Sequence, residues 1–233
     1  MRVLLTGGNG LLGRYLIKEL IKSNISFYAP TSNECDIIDL SQINLMVFNY
    51  KPDIVIHCAA IAKYKDVELD PQKALRTNVE GTCNITNACM TNNTRLVYIS
   101  TSHIFDGQKG NYTTSDPINP LTKYAKTKAA GEYTVGVHDN SLIIRTEFCE
   151  PIFPFEYAYI DKWSSKEYVD ILAPQILNAC LSNQKGIIHL GGKRKTFYDF
   201  ALIRNPKVKK GSIEDIKKTS KVPILVDTSL VSS

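Results

Sequence analysis

Long apolar runs are missing from these 233 residues, and so is any internal repeat or low-complexity stretch. No segment approaches the roughly 20 apolar residues that cross a bilayer, so no membrane partner is expected. Cysteine occurs six times, at Cys35, Cys58, Cys83, Cys89, Cys149 and Cys180, but never as C-x-x-C and never beside histidines at ligand spacing. No metal site is therefore expected. Cysteines scattered through apolar patterns behave as small hydrophobes, which predicts a reduced, cytoplasmic protein. A secretory core is not expected either, because glycines interrupt residues 1–13. Excess charge is modest, at +5, and its lysines gather late, in Lys193-Arg194-Lys195, Lys207 to Lys210 and Lys217-Lys218. These blocks are short and carry no interleaved aromatics, so nucleic acid is not an expected partner. They read as a solvated face, or as an attraction for a phosphorylated substrate.

Glycine is placed where it carries information. Arg2 to Leu5 reads as a short buried strand, and from Leu11 the apolar residues take helical spacing. Between them lie Gly7, Gly8, Gly10 and Gly13. A strand that enters a helix through glycines gathers unpaired N–H groups at the positive end of the helix dipole, which makes an anion site. In the dinucleotide-binding version the glycines serve the turn, the approach of a pyrophosphate and helix–strand packing.

Strands and helices then alternate. Apolar spacing predicts a helix up to Ser23-Asn24, a strand over Ile25 to Ala29, a helix capped by Ser41 and running to Tyr50, and a strand over Asp53 to His57. A long helix is expected from Pro71 to Met90, a strand over Arg95 to Ser100, a helix over Leu121 to Val137 and a strand over Ser141 to Arg145. Residues 147–164 read as irregular capping structure, followed by a helix over Glu167 to Leu181, a strand over Gly186 to Leu190 and a short helix near Phe197. The pattern predicts an α/β fold with a doubly wound parallel sheet. Residues 1–146 are expected to form the NAD(P)-binding domain, with 167–190 returning to it, and 147–233 a small substrate-binding lobe. In such sheets the ligand lies at the carboxyl ends of strands, which puts Gly7–Gly13, Ala59-Ala60 and Ser100-Thr101-Ser102 on one crevice.

Tyr124 and Lys128 stand four residues apart in a helix and share a face. A phenol donating a proton near neutrality gains from a nearby ammonium; lowering its pKa by three units takes about 4 kcal/mol of differential interaction. Proton donor, cation and a hydroxyl from the preceding strand end, beside a nicotinamide, describe a carbonyl reductase.

With Thr6-Gly7-x-x-Gly10-x-x-Gly13, the Thr101 cluster and Tyr124-x-x-x-Lys128, the chain resembles the extended short-chain dehydrogenases/reductases, whose NAD(P)-binding domain is a Rossmann fold. It is most similar to their dTDP-4-dehydrorhamnose reductase branch through Asn9 to Arg14, Pro52 to Ala60, Ser100 to Gly107, Pro120 to Tyr124 and Lys126 to Glu132. The resemblance implies reduction of the C4 keto group of a nucleotide-linked 4-keto-6-deoxyhexose by NAD(P)H, in deoxysugar synthesis. It assigns Tyr124 as proton donor, Lys128 as its modulator and ribose ligand, Thr101 as the carbonyl partner and Asn78 as their support. For the cofactor it implies Gly7, Asn9, Gly10, Leu11, Leu12, Gly13 and Arg14, then Asp36-Ile37, Cys58, Ala59, Ala60, Ala62 and Ser100. For the substrate it implies Ser102, His103 and Phe148. Dimers are common in the family, which makes a homodimer the implied assembly.

Some positions depart from the family pattern. Bifunctional epimerase-reductases carry a cysteine where this chain has His103; without that thiol 3,5-epimerisation is not expected, although an imidazole can in principle move a proton, and the plainer reading of His103 is pocket lining. The motif after the fifth strand is Arg145-Thr-Glu-Phe-Cys-Glu-Pro151 and lacks the usual Tyr-Gly. The second strand ends in Pro30-Thr31-Ser32 without the acid that selects NAD, with Glu34 further on. That favours NADP(H) over NAD(H), with Arg14 as the expected 2′-phosphate partner. Competing expectations are an NADP-binding regulatory subunit, like the methionine adenosyltransferase beta subunit, and another extended-family chemistry such as epimerisation or dehydration.

Overall fold

Residues 1–217, 219–220 and 222–232 are described by the computed structural model of the chain; Lys218, from the last basic block, lies outside the described residues. β1 (Arg2–Thr6) ends at Gly7, whose φ of +76° turns the backbone toward α1 (Leu11–Lys22). α1 buries only its Leu12, Gly13, Leu16 and Leu20 stripe, as the apolar spacing requires. β2 (Ser26–Tyr28) leads through a polar link to α2 (Leu40–Tyr50). The cap of α2 is Asp39 and not Ser41: the Asp39 carboxylate accepts from the Ser41 and Gln42 N–H groups at 2.9 and 3.1 Å. β3 (Ile54–His57) is followed by α3 (Tyr64–Leu69), a helix too short for periodicity to reveal.

The long helix expected from Pro71 is a rod of three parts: α4 (Pro71–Leu75), a π-helical turn over Arg76–Glu80, and α5 (Gly81–Thr91). β4 (Arg95–Thr101) is buried at every residue. After it come α6 (Lys123–Val135), capped by the Thr122 hydroxyl, and β5 (Ser141–Thr146). The segment expected to be irregular holds three short strands, β6 (Phe148–Cys149), β7 (Tyr157–Tyr159) and β8 (Trp163–Ser164). β9 (Glu167–Tyr168) takes the residues expected to begin α7 (Val169–Leu181), which continues through Pro174. The chain then adds β10 (Gly186–Leu190), β11 (Lys195–Thr196), α8 (Phe197–Leu202), β12 (Lys209–Gly211) and α9 (Glu214–Lys217). Among the described residues no helix is long and apolar enough to cross a membrane.

One parallel sheet carries the molecule, in the order β10-β5-β4-β3-β1-β2. The order reverses between β1 and β3, and a crevice opens at such a switch point beyond the strand ends. Side chains alternate across the sheet with period two. Val3, Leu5, Ile56, Val97, Ile99 and Ile144 face α1 and α7 on one side; Leu4, Val55, Leu96, Tyr98 and Ile143 face α2 and α5 on the other. This is the doubly wound, Rossmann-type architecture that the alternating pattern predicts.

A separate cluster of Phe153, Ala158, Tyr168, Phe200, Ala201 and Val208 sits beyond β5, with Tyr168 stacked on Phe200 at 4.3 Å. The last described stretch packs against β8 and the loop after β4. Val226 accepts from the Trp163 N–H at 2.7 Å, the Asp227 N–H donates to Gly107 at 2.8 Å, and Leu230 bridges to Tyr112. Part of the basic surface is spoken for: Arg194 pairs with Asp227, Lys195 with Glu167 and Lys209 with Glu156.

Candidate active site

The Gly7–Gly13 loop divides two cavities. One, of about 200 Å³, is walled by Thr6, Gly7, Asn9, Pro30 to Ser32, Asp36, Ile37 and Ala59. The other, of about 320 Å³, is walled by Gly7, Gly10 to Gly13, Cys58, Ala60, Ala62, Ser100, Thr101, Tyr124, Lys128 and Phe148. Packing explains the glycines. A Cβ on Gly13 would stand 2.2 Å from the Gly7 carbonyl oxygen, and one on Gly7 would stand 2.6 Å from the Ala59 nitrogen. The loop therefore lies flat against the β3 end, with the α1 N-terminus open above it. Two cavities meeting at a helix N-terminus fit an elongated dinucleotide whose diphosphate sits at the glycines. A further sign is the Thr146 hydroxyl, buried in the wall of the larger cavity without a hydrogen-bond partner among the described residues. An orphaned buried hydroxyl costs free energy until something pairs with it.

Three side chains converge on the larger cavity. Thr101 arrives at the end of β4, while Tyr124 and Lys128 share one face of α6. Helix α6 comes close to β4 because Gly131 has no side chain; a Cβ there would meet the Tyr98 hydroxyl at 2.2 Å. Tyr124 is pushed up to about 12 by burial, against the pull of a hydrogen bond from Thr101, and the charge of Glu147 adds to the rise. Lys128 is pushed down to about 7 by burial, which Cys58 and Glu132 partly oppose, and its Nζ lies 3.9 Å from the centre of the Tyr98 ring. Expectation and structure differ here. With the cavity open, desolvation raises the phenol and depresses the ammonium. Both groups are thereby biased toward their uncharged forms.

Asn78 lies in the π turn, does not wall either cavity, and acts at a distance. Its amide accepts from the Ile61 N–H at 2.7 Å, donates to the Ile61 carbonyl at 3.0 Å and donates to the Thr127 hydroxyl at 3.0 Å. It thus ties the loop after β3 to helix α6, and an inserted residue in a helix is a common means of aiming such a side chain. His57, buried next door, is pushed down to about 3 by desolvation and by Lys128, and bridges the Thr6 and Thr82 hydroxyls.

Two expected residues are placed elsewhere. Ser102 is fully buried and donates to Glu147 at 2.9 Å, because the turn after Thr101 rotates it into the protein, so it is not a substrate contact. Arg14 is exposed, reaches the Asn9 carbonyl at 3.4 Å and walls neither cavity. Ser100 lines the larger cavity, while its hydroxyl donates to Glu132 at 2.5 Å.

Other residues at the site escape the sequence pattern. Glu147 accepts from Ser102 and Thr228, pairs with Lys166 at 3.0 Å and faces His103 at 3.5 Å. Burial pushes its carboxyl up, yet Lys166, His103 and Lys162 together hold it well below the usual carboxylate range. An acid directly after an apolar parallel strand was the available signal for Glu147; Lys166 and Thr228 come from distant segments and carried none. A third cavity, of about 280 Å³, adjoins the site through His103 and Tyr124 and is closed by Tyr64, Tyr159, Lys162, Ile213 and Pro223.

Comparison with known proteins follows the same outline. A family model described as RmlD substrate binding domain matches residues 1–149. The dTDP-4-dehydrorhamnose reductase of Aggregatibacter actinomycetemcomitans is 33% identical over 150 residues, 63% of this chain and 51% of that protein. The methionine adenosyltransferase 2 subunit beta of Bos taurus is 33% identical over 141 residues, 58% of this chain and 42% of that protein. The matched stretch is thus about half the length of these relatives or less. In structure, the chain superposes on the NADP complex of dTDP-4-dehydrorhamnose reductase from Bacillus anthracis with a TM-score of 0.89. That match has 25% identity and covers 100% of this chain and 90% of the other.

Proposed function

Because the chain belongs to the family described as RmlD substrate binding domain, we propose that it is an NAD(P)H-dependent reductase of the C4 keto group of a nucleotide-activated 4-keto-6-deoxyhexose. The observation that carries this proposal is the meeting of Thr101, Tyr124 and Lys128 on one cavity wall with the glycine loop. NADPH is the favoured reductant: the end of β2 has no acid at its last positions, and the similar Bacillus anthracis structure is an NADP complex.

The residues divide the work. Gly7, Asn9, Asp36 and Ile37 hold the adenosine half, the α1 N-terminus holds the diphosphate, and Ala60, Ala62 and Thr146 surround the nicotinamide. When bound, the reduced nicotinamide supplies a hydride. Thr101 and Tyr124 hydroxyls receive the substrate carbonyl oxygen between them. As that oxygen becomes an alkoxide, about as basic as hydroxide (the pKa of water is about 15.7), the Tyr124 phenol gives up its proton to it. A phenol held near 12 is fully protonated at neutrality and still a far stronger acid than the alcohol it forms. The lobe beyond β5, with the third cavity, takes the nucleotide side of the substrate.

The test is NADPH consumption against a panel of dTDP- and UDP-linked 4-keto-6-deoxy sugars. Turnover on at least one is expected. A protein that binds NADPH, oxidises it on none of them and retains a stoichiometric partner in a pull-down would instead be a regulatory subunit, like the beta subunit it also matches.

A further inference from the structure

We infer that His103 and Glu147 form a second acid–base pair in this site, one that exchanges the protons on the carbons flanking the keto group. The inference rests on the reductase proposal, since it uses the same ketone in the same place.

The pair is built, not incidental. Glu147 is 8% exposed, and both its oxygens are engaged. Oε2 accepts from the Ser102 hydroxyl at 2.9 Å and the Thr228 hydroxyl at 3.1 Å. Oε1 faces Lys166 Nζ at 3.0 Å and His103 Nε2 at 3.5 Å. Four groups from three segments fix this carboxylate, and Lys166 keeps it ionised. An anion beside Nε2 favours the tautomer with its proton there, which leaves Nδ1 as the base. Among the described residues Nδ1 makes no hydrogen bond.

His103 also stands where the chemistry is. Its backbone N–H donates to the Thr101 hydroxyl at 3.2 Å, and its ring meets Tyr124 edge-on, with centres 6.4 Å apart. Its side chain is one-third exposed and walls both the Tyr124 cavity and the adjoining one. A ketone whose oxygen lies between Thr101 and Tyr124 presents C3 and C5 to the surroundings of that oxygen, and His103 is an imidazole there that no step of the reduction uses.

The reaction balances without an oxidant or reductant. Nδ1 removes a proton from the carbon next to the carbonyl. The C–H electron pair forms a C=C bond, and the carbonyl pair moves onto oxygen. The Tyr124 and Thr101 hydroxyls stabilise that enolate as an oxyanion hole does. The imidazolium exchanges its proton with water and returns one to the same carbon, restoring the ketone. Return from the same face gives exchange with retention, the first half of an epimerisation.

Deuterium reports it directly. The protein loaded with NADP⁺, which cannot deliver hydride, is incubated with dTDP-4-keto-6-deoxy-D-glucose in D₂O, and the sugar is read by NMR. In parallel, NADPH oxidation is measured on the same sugar. Deuterium is expected at C3 or C5 at least tenfold faster than in buffer. His103→Ala should lower exchange at least tenfold further than it lowers reduction, and added imidazole should restore exchange. Glu147→Gln should lose exchange while Glu147→Asp keeps a measurable part, with NADP⁺ affinity confirming that both variants fold. Reduction without exchange above buffer overturns this inference alone, as does exchange that persists in His103→Ala. Loss of both reactions in the unmodified protein on every sugar of the dTDP and UDP panel overturns the reductase proposal and this inference with it.

Discussion

Burial sets the charge of the two α6 residues that face the cavity. Lys128 has its pKa pushed down to about 7 from an ordinary value of 10.5. Between those two values the unfolded chain binds a proton there that the folded chain does not, so stability rises as pH rises through that window. Below about pH 7 both states hold the proton, and the full penalty, on the order of 5 kcal/mol, is present. Lys128→Met should therefore be more stable than the parent at pH 6.5 and lose that advantage by pH 10, read as urea midpoints at each pH. Tyr124 is a different case, since its work needs the proton in place. Tyr124→Phe should retain dinucleotide affinity and lose at least about 100-fold in turnover, the scale of a general acid. Unchanged NADPH oxidation in that variant would remove Tyr124 from the mechanism.

Elements place these residues, and small features of the elements decide how well. Gly131 lets α6 lie against β4, and its missing Cβ leaves room for the Tyr98 hydroxyl. Gly131→Ala should push α6 outward, lowering thermal stability and turnover together while leaving the cavity between β1 and β2 intact. Adenosine-half ligands should then bind as before, which calorimetry can check. The π turn over Arg76–Glu80 is the second such feature. Asn78→Ala removes three hydrogen bonds and strands the Ile61 N–H, at a cost of roughly 1–3 kcal/mol. It should weaken dinucleotide binding through the loop after β3 although Asn78 touches neither cavity. A denaturant midpoint and a dissociation constant both unchanged from the parent would show the tie to be idle. Periodicity gave the rod from Pro71 to Met90 as one helix; a single inserted residue leaves the apolar spacing almost unaltered, so the turn that aims Asn78 is invisible in it.

At the scale of the whole molecule, the final stretch is the closing piece. Leu225 and Leu230 are buried, Thr228 donates to Glu147, and Asp227 holds Arg194 at 2.8 Å. Ending the chain after Ser220 should free Glu147 and open the third cavity. Reductase turnover should fall at least tenfold, while NADP⁺ still binds, because the cavity proposed for the adenosine half is lined only by residues between 4 and 59. Binding lost along with turnover would instead tie the final stretch to the integrity of the sheet.

The local sequence determined the alternating elements, the period-two faces of each strand, the glycine loop and the helical register that pairs Tyr124 with Lys128. Each of these is a matter of spacing along the chain. What the tertiary structure alone decided is electrostatic and long-range. The phenol rises and the ammonium falls because of what is packed around them, and Ser102 turns inward to a carboxylate 45 residues away. Glu147 meets Lys166, Thr228 and His103 only because the ends of β4 and β5, the segment before β9 and the final stretch come to the same place. Desolvation and the meeting of distant segments depend on three-dimensional packing, and no residue's neighbours along the chain report them.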